Sequence, residues 1–227
     1  MSLHSMLALP IGDAGGWFRL IGGISAAAFI GVYVLFAKKK LPVEWNGPLS
    51  RFYYLPTLPV TFLLRTTIKG PYWEVCPGTD GKVVIGAVPI ALAGHPQKLV
   101  NEEGVVGVVN MMAEDPSPGK AEFLRLGADE YFYAPCIDHM EPSVESLRSC
   151  VRFITRVVGE KSNGSVYLHC KGGHGRSAAV AMAYLLTTHK GMSPLEAQRI
   201  INTGKRSYRR KMHTQQNIKA YHEKYCS

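Results

Sequence analysis

His169-Cys170-Lys171-Gly172-Gly173-His174-Gly175-Arg176-Ser177 decides both the fold and the chemistry of this 227-residue chain. The segment before it, Val166-Tyr167-Leu168, is a short apolar run that reads as a buried strand, and Ala178 to His189 is rich in Ala and Leu and reads as a helix. A strand must therefore become a helix across Cys170 to Arg176. Gly172, Gly173 and Gly175 free the backbone there to aim successive N–H groups at one point, which makes an anion site. The helix start adds partial positive charge, and the planar fork of Arg176 can hold two phosphate oxygens. A free thiol titrates at about 8.5, but the same field lowers a Cys at a helix start, so Cys170 is expected to be largely thiolate. Attack on phosphorus would give a phosphocysteine, and the Ser177 hydroxyl could stabilise the thiolate as it leaves. A buried structural thiol in an ordinary glycine loop would not need the Arg, the spacing and the strand-to-helix setting together.

At these residues the chain resembles the cysteine-dependent phosphatases of the dual-specificity branch, whose signature is His-Cys-x-x-Gly-x-x-Arg-Ser/Thr. The similarity in layout runs from about Lys82 to Tyr225. It implies that Cys170 is the nucleophile, that Arg176 and the loop residues Lys171 to Gly175 bind phosphate, and that His169 orients the loop and tunes the thiolate. It also implies a general acid, an Asp on a loop before the Cys, because a leaving alkoxide must be protonated as the P–O bond breaks. Asp138, between Pro135 and Pro142, fits that place; Asp115 and Asp129 are weaker candidates, and Glu141 is the substitute.

Alternating strands and helices predict an α/β fold with a mostly parallel central sheet flanked by helices. Strands are expected at 83–87, 105–111, 131–134 and 166–168, and helices at 97–103, 117–126, 143–159 and 214–225. Ser193-Pro194-Leu195-Glu196 has the pattern of a capping box opening another helix. With 46% hydrophobic residues the chain can bury one substantial core at 82–227. Leu20–Ala37 is eighteen residues without charge, followed by Lys38-Lys39-Lys40. An eighteen-residue helix is about 27 Å long, enough for a thin bilayer, so 1–40 is read as an N-terminal segment with a transmembrane helix. The Lys cluster follows the apolar run, opposite to the order of a cleaved signal peptide, and by the positive-inside rule it puts the phosphatase domain in the cytosol or mitochondrial matrix. Residues 41–81 carry six prolines and seven Trp, Tyr or Phe and are read as a linker that packs on the core.

Five cysteines, unevenly spaced, do not form a disulfide framework, and a thiolate mechanism needs a reducing compartment. No Cys/His grouping has zinc spacing, and neither metal nor cofactor is expected. The net charge of +9 accompanies no recognisable nucleic-acid module and suits an anionic membrane surface or a phosphorylated substrate.

Gly86-Ala87-Val88-Pro89 and Gly104 to Met111 with Glu114 resemble the mitochondrial phosphatidylglycerophosphate phosphatases within this superfamily, which implies the matrix side of the inner membrane and a lipid phosphate substrate. The active loop departs from that subfamily's common Cys-Lys-Ala-Gly-Arg-Ser-Arg-Ser: Gly172 stands at the Ala, His174 replaces an Arg and Gly175 replaces a Ser. Charge on His174 in mild acid, or the basic run Lys205 to Lys211, could make up the lost potential. The alternatives are a phosphatase for phosphotyrosine and phosphoserine or phosphothreonine proteins, and an inactive phosphate-binding scaffold.

Overall fold

The strand that feeds the active loop lies in the middle of the sheet, and every one of its residues, Ser165–His169, is buried. The computed structural model describes residues 14–226, with side chains from residue 26 onward. Its helices are α1 (Ala14–Ala37), α2 (Asn46–Thr67), α3 (His95–Glu103), α4 (Lys120–Arg125), α5 (Val144–Glu160), α6 (Arg176–Thr188), α7 (Pro194–Ile201) and α8 (Gln216–Tyr225). The strands are β1 (Trp73–Val75), β2 (Val83–Gly86), β3 (Val105–Met112), β4 (Glu130–Cys136) and β5 (Ser165–His169), in the order β1-β2-β5-β3-β4. Four of them run parallel, with Val84 opposite Tyr167 and Tyr167 opposite Val108. β1 pairs antiparallel with β2 and makes the sheet mixed.

Period-two alternation sends side chains to two cores, as a sheet covered on both faces requires. Val83, Ile85, Val109, Met111, Val166 and Leu168 pack with α5 and α6, while Val84, Val108 and Tyr167 pack with Leu99 of α3 and Phe123 of α4. α6 runs through the first core, and its residues Arg176 to Leu186 are all buried. The alanines in that helix allow close approach, and truncating Leu168 to Ala beside it would cost about 2–5 kcal/mol. The capping box forms as the sequence predicts: Ser193 Oγ accepts from the Glu196 N–H, and Glu196 accepts from the Ser193 N–H at 2.8 Å.

The chain divides into two compact units, at Val43 and Glu44. The first contains α1, which covers the expected span Leu20–Ala37; the side chains up to Ser25 lie outside the described residues. Among the described residues no helix is long and apolar enough to cross a membrane. The second unit begins with α2, a 22-residue helix in the stretch read as a linker. Pro56 and Pro59 lie inside it and each removes a helical N–H donor. Threonine hydroxyls turn back onto its carbonyls: Thr61 donates to the Thr57 carbonyl at 2.9 Å and Thr57 to the Tyr53 carbonyl at 2.5 Å.

Candidate active site

Cys170 leaves the carboxyl end of β5, and Arg176 opens α6. Between them Gly173 takes φ +61°. A side chain there would fall on the Arg206 guanidinium and the Gly86 carbonyl, so the position needs glycine for both conformation and space. Arg206 Nη2 donates to the Gly172 and Gly173 carbonyls at 3.2 and 3.4 Å, and the Lys171 carbonyl accepts from the Val88 N–H at 3.1 Å. These bonds engage the carbonyls of Lys171, Gly172 and Gly173.

The Cys170 thiol is 3% exposed and lies 3.5 Å from Ser177 Oγ. Burial pushes it up, but the Arg176 guanidinium, then the Ser177 hydroxyl and amide, outweigh burial and the opposing Asp138 and hold it below the ordinary thiol range. At the other buried thiols burial dominates, at Cys136 despite the pull of the same Arg176. Burial raises Cys136 and Cys150 to about 12, and Cys76 goes higher still.

Arg176 joins three chain segments. Its Nη1 lies 3.1 and 2.9 Å from the two Glu114 carboxylate oxygens and donates to the Cys136 carbonyl at 2.7 Å, while Nη2 donates to Asp138 Oδ1 at 2.9 Å. Asp138 Oδ2 lies 3.9 Å from Lys171 Nζ. Burial would raise the Asp138 carboxyl, but Arg176, His139 and Lys171 together hold it below its ordinary value. The carboxylate chosen from sequence is therefore at the loop, ionised and bound to its arginine. Asp129 instead pairs with Lys161 on the surface, and Asp115 accepts from Tyr54 Oη at 3.3 Å and from the Ser117 N–H at 3.0 Å.

Both loop histidines are held neutral, which departs from expectation at His174 alone. Burial and the Arg176 charge lower His169 to about 3, and its ring nitrogens meet no hydrogen-bond partner among the described residues. It stacks on Tyr167 with ring centroids 5.7 Å apart, so it is placed to act on the loop by packing rather than by charge. His174 is lowered to about 4 by burial, despite the Ser207 carbonyl 2.9 Å from Nδ1. It stays neutral in mild acid, and the charge expected of it there is absent. The basic run Lys205 to Lys211 divides: Arg206 is buried under the loop, Lys205, Arg210 and Lys211 are exposed, and the Arg209 guanidinium stands 3.0 Å from where a Gly175 side chain would begin.

α2 supplies residues that the sequence reading did not place in the site. Ser50 Oγ donates to Glu114 Oε1 at 2.8 Å and accepts from the Asp138 N–H at 3.2 Å. Lys171 Nζ donates to Thr57 Oγ1, and Arg65 Nη2 would stand 3.7 Å from a Gly172 Cβ. Ser50, Tyr54, Thr57, Thr61 and Arg65 recur at helical spacing on one face. That polar stripe in an apolar segment was the available signal. Among the described residues no group of three or more His, Cys, Asp or Glu side chains is arranged to hold a metal ion.

The family described as "Dual specificity phosphatase, catalytic domain" matches residues 92–224. Human "Phosphatidylglycerophosphatase and protein-tyrosine phosphatase 1" is 32% identical over 158 residues, covering 67% of this chain and 76% of that protein. The Arabidopsis thaliana "Phosphatidylglycerophosphate phosphatase PTPMT1" is 30% identical over 174 residues, covering 72% of this chain and 45% of that protein. A crystal structure of PTPMT1 in complex with PI(5)P is 26% identical with a TM-score of 0.55, covering 68% of this chain and 96% of that one. The chain belongs to the dual specificity phosphatases and is a phosphoric monoester hydrolase. Within that family it belongs with the PTPMT1-like phosphatases.

Proposed function

We propose that the chain hydrolyses a lipid phosphate monoester, with phosphatidylglycerophosphate as the leading substrate, at the surface of a membrane that it is anchored to by its N-terminal segment. The observation that carries the chemistry is the Cys170 thiol, held low by Arg176 and Ser177 at the head of the glycine loop. The Cys170 thiolate attacks phosphorus, the S–P bond forms, and the P–O bond to the lipid alcohol breaks with transfer of a proton from Asp138. Water then attacks the phosphocysteine and gives its proton to Asp138. The S–P bond breaks, inorganic phosphate leaves, and Ser177 Oγ–H stabilises the returning thiolate.

Asp138 has to be protonated for the first step, and a bound phosphate supplies the reason. Its oxygens compete with the Asp138 carboxylate for Arg176 and set negative charge beside it, and both changes raise the carboxyl's pKa. The contact between Asp138 and Arg176 is thus one that substrate replaces.

Support for a lipid substrate comes from the names of the relatives, from the apolar run ending in Lys38-Lys39-Lys40, and from the outer face of α2. On that face Phe52, Leu55 and Leu63 are each 60% exposed or more, opposite the stripe that meets the active loop. A matrix-facing inner mitochondrial membrane fits the Lys cluster, the thiolate's need for a reducing compartment, and the subfamily that the loop resembles.

The test is phosphate release by the full chain from phosphatidylglycerophosphate in anionic vesicles, from phosphoinositide vesicles and from phosphotyrosine peptides. The proposal expects the highest kcat/KM on phosphatidylglycerophosphate, falling as salt is raised. Preference for the peptide at every salt concentration and vesicle charge would replace the lipid reading by the protein-phosphatase one.

A further inference from the structure

The positive charge that attracts phosphate to this site does not come from Arg176 and Lys171 alone. Arg176 is paired with both Glu114 and Asp138, and Lys171 faces Asp138. With the Cys170 thiolate counted, these groups carry one negative charge in excess, which would repel a dianionic phosphate.

Three further guanidinium groups lie against the same loop: Arg209, partly exposed beside Gly175, and two that are buried. Arg65, on α2, is 4% exposed and Arg206, before α8, is 3% exposed. Arg65 Nη1 donates only weakly, to the Lys69 and Ser207 carbonyls at 3.5 Å. Arg206 donates to the carbonyls of Pro71, Gly172 and Gly173, and its Nε has no hydrogen-bond partner. Among the described residues neither guanidinium forms a salt bridge to a carboxylate. Burial of an unpaired charge is costly, and an anion bound at the loop would offset that cost.

Resting on the phosphatase reading above, we propose that Arg65 is a positioning residue for catalysis: with Arg206 it forms a buried cation pair that turns the phosphate site net positive, stabilises the Cys170 thiolate and draws the phosphate dianion to the loop. With the two buried arginines counted, and the partly exposed Arg209 left to solvent screening, the site carries one positive charge in excess while Asp138 is ionised, and two once Asp138 holds the proton it will donate. The second value matches a phosphate dianion. The loop's own departures fit the same account. The chain has His174, held neutral, where the subfamily has an Arg, and Arg65 stands beside Gly172, at the position where the subfamily has Ala. The electrostatics agree in sign: burial and the neighbouring Arg206 pull Arg65 down to about 10, while Cys170 pushes it back up.

The titratable and charged groups around Cys170 and its loop are Arg176 and Ser177 of α6, Cys136, Asp138 and His139 from the end of β4 and the loop after it, Glu114 after β3, Tyr167 and His169 of β5, Lys171 and His174 of the loop, Arg65 of α2, and Arg206 and Arg209 before α8. Of these, Arg65 lies outside the residues matched by the family.

The test alkylates Cys170 with iodoacetamide as a function of pH, read by mass spectrometry on the Cys170 peptide, in the wild-type full chain and in Arg65→Lys, Arg65→Gln and Arg65→Met. Arg65→Met fills the buried space without a polar group and serves if Arg65→Gln does not fold. Inhibition by inorganic phosphate is measured alongside. In the neutral variants the alkylation midpoint is expected to rise by about one pH unit, and phosphate inhibition to weaken roughly tenfold. Arg65→Lys should keep both near wild type. A low wild-type midpoint that stays put in the neutral variants overturns this inference alone, and an equal loss in Arg65→Lys and Arg65→Gln overturns it in favour of a structural role. An ordinary thiol midpoint in the wild-type chain contradicts the thiolate chemistry itself.

Discussion

The active loop and helix α2 meet at one site, yet they were written into the sequence in opposite ways. The loop is nine consecutive residues, and its signature positions follow local rules: glycines where the backbone turns, an arginine at a helix start, a serine beside the thiol. α2 reaches the same site through residues spread over four turns, Ser50, Thr57 and Arg65, each meeting a partner at least 88 positions away in the chain. A contiguous motif can be read from its neighbours. A wall built by tertiary packing cannot.

The difference can be sharpened by substitution. Asp138→Asn should lower kcat by about 10²- to 10⁴-fold on alkyl phosphates and by much less on activated aryl phosphates, because protonation matters most for a basic leaving oxygen. Steady-state kinetics on a series of leaving groups checks this, and an equal loss on all of them would mean that Asp138 only holds Arg176. Leaving-group dependence in Glu141→Gln alone would move the acid to Glu141.

A second expectation concerns acid stability. His169 and His174 are held neutral in the fold, at about 3 and about 4, while the unfolded chain takes up protons near the ordinary histidine value of 6.5. Their contribution to stability is complete above that value and is lost as pH falls from about 6.5 toward 4. Each group costs about 1.4 kcal/mol per pH unit in that window. Denaturant midpoints at pH 7.5 and 5.0 should show the loss, and His174→Asn should recover part of it. An unchanged pH dependence in that variant would mean that His174 does not resist protonation in the fold.

The smallest expected effect lies on α2. Thr57→Val removes the hydroxyl that receives Lys171 and should raise KM less than about tenfold with kcat nearly unchanged, measured on a soluble phosphate ester. No change in KM would mean that α2 covers the site without tuning it.

The parts of the fold that were legible have strong periodicity or local chemistry. The buried runs at β2, β3 and β5, the apolar face of α5 and the capping box of α7 all appear within a few residues of where the sequence puts them. The antiparallel edge strand β1 was not legible, because three residues of mixed burial carry no alternation long enough to detect. α2 was hidden by its prolines, which argue locally against a helix, and packing against the active loop overrides that preference. Within the site, the structure brings Cys170, Arg176, Ser177 and Asp138 together. What was missed is charge: burial removes it from His174, and of the two buried arginines at the loop the sequence pointed to Arg206, within its basic run, but not to Arg65.

The central claim is that Cys170 carries the phosphoryl group. Rapid acid quench of the full chain during turnover of a phosphate-labelled substrate tests this most directly. The account predicts a labelled phosphocysteine on the Cys170 peptide, more of it in Asp138→Asn with an activated aryl phosphate because hydrolysis of the intermediate is slowed, and none in Cys170→Ser, which should also lose turnover. Turnover in Cys170→Ser, or label on any other residue, would contradict it.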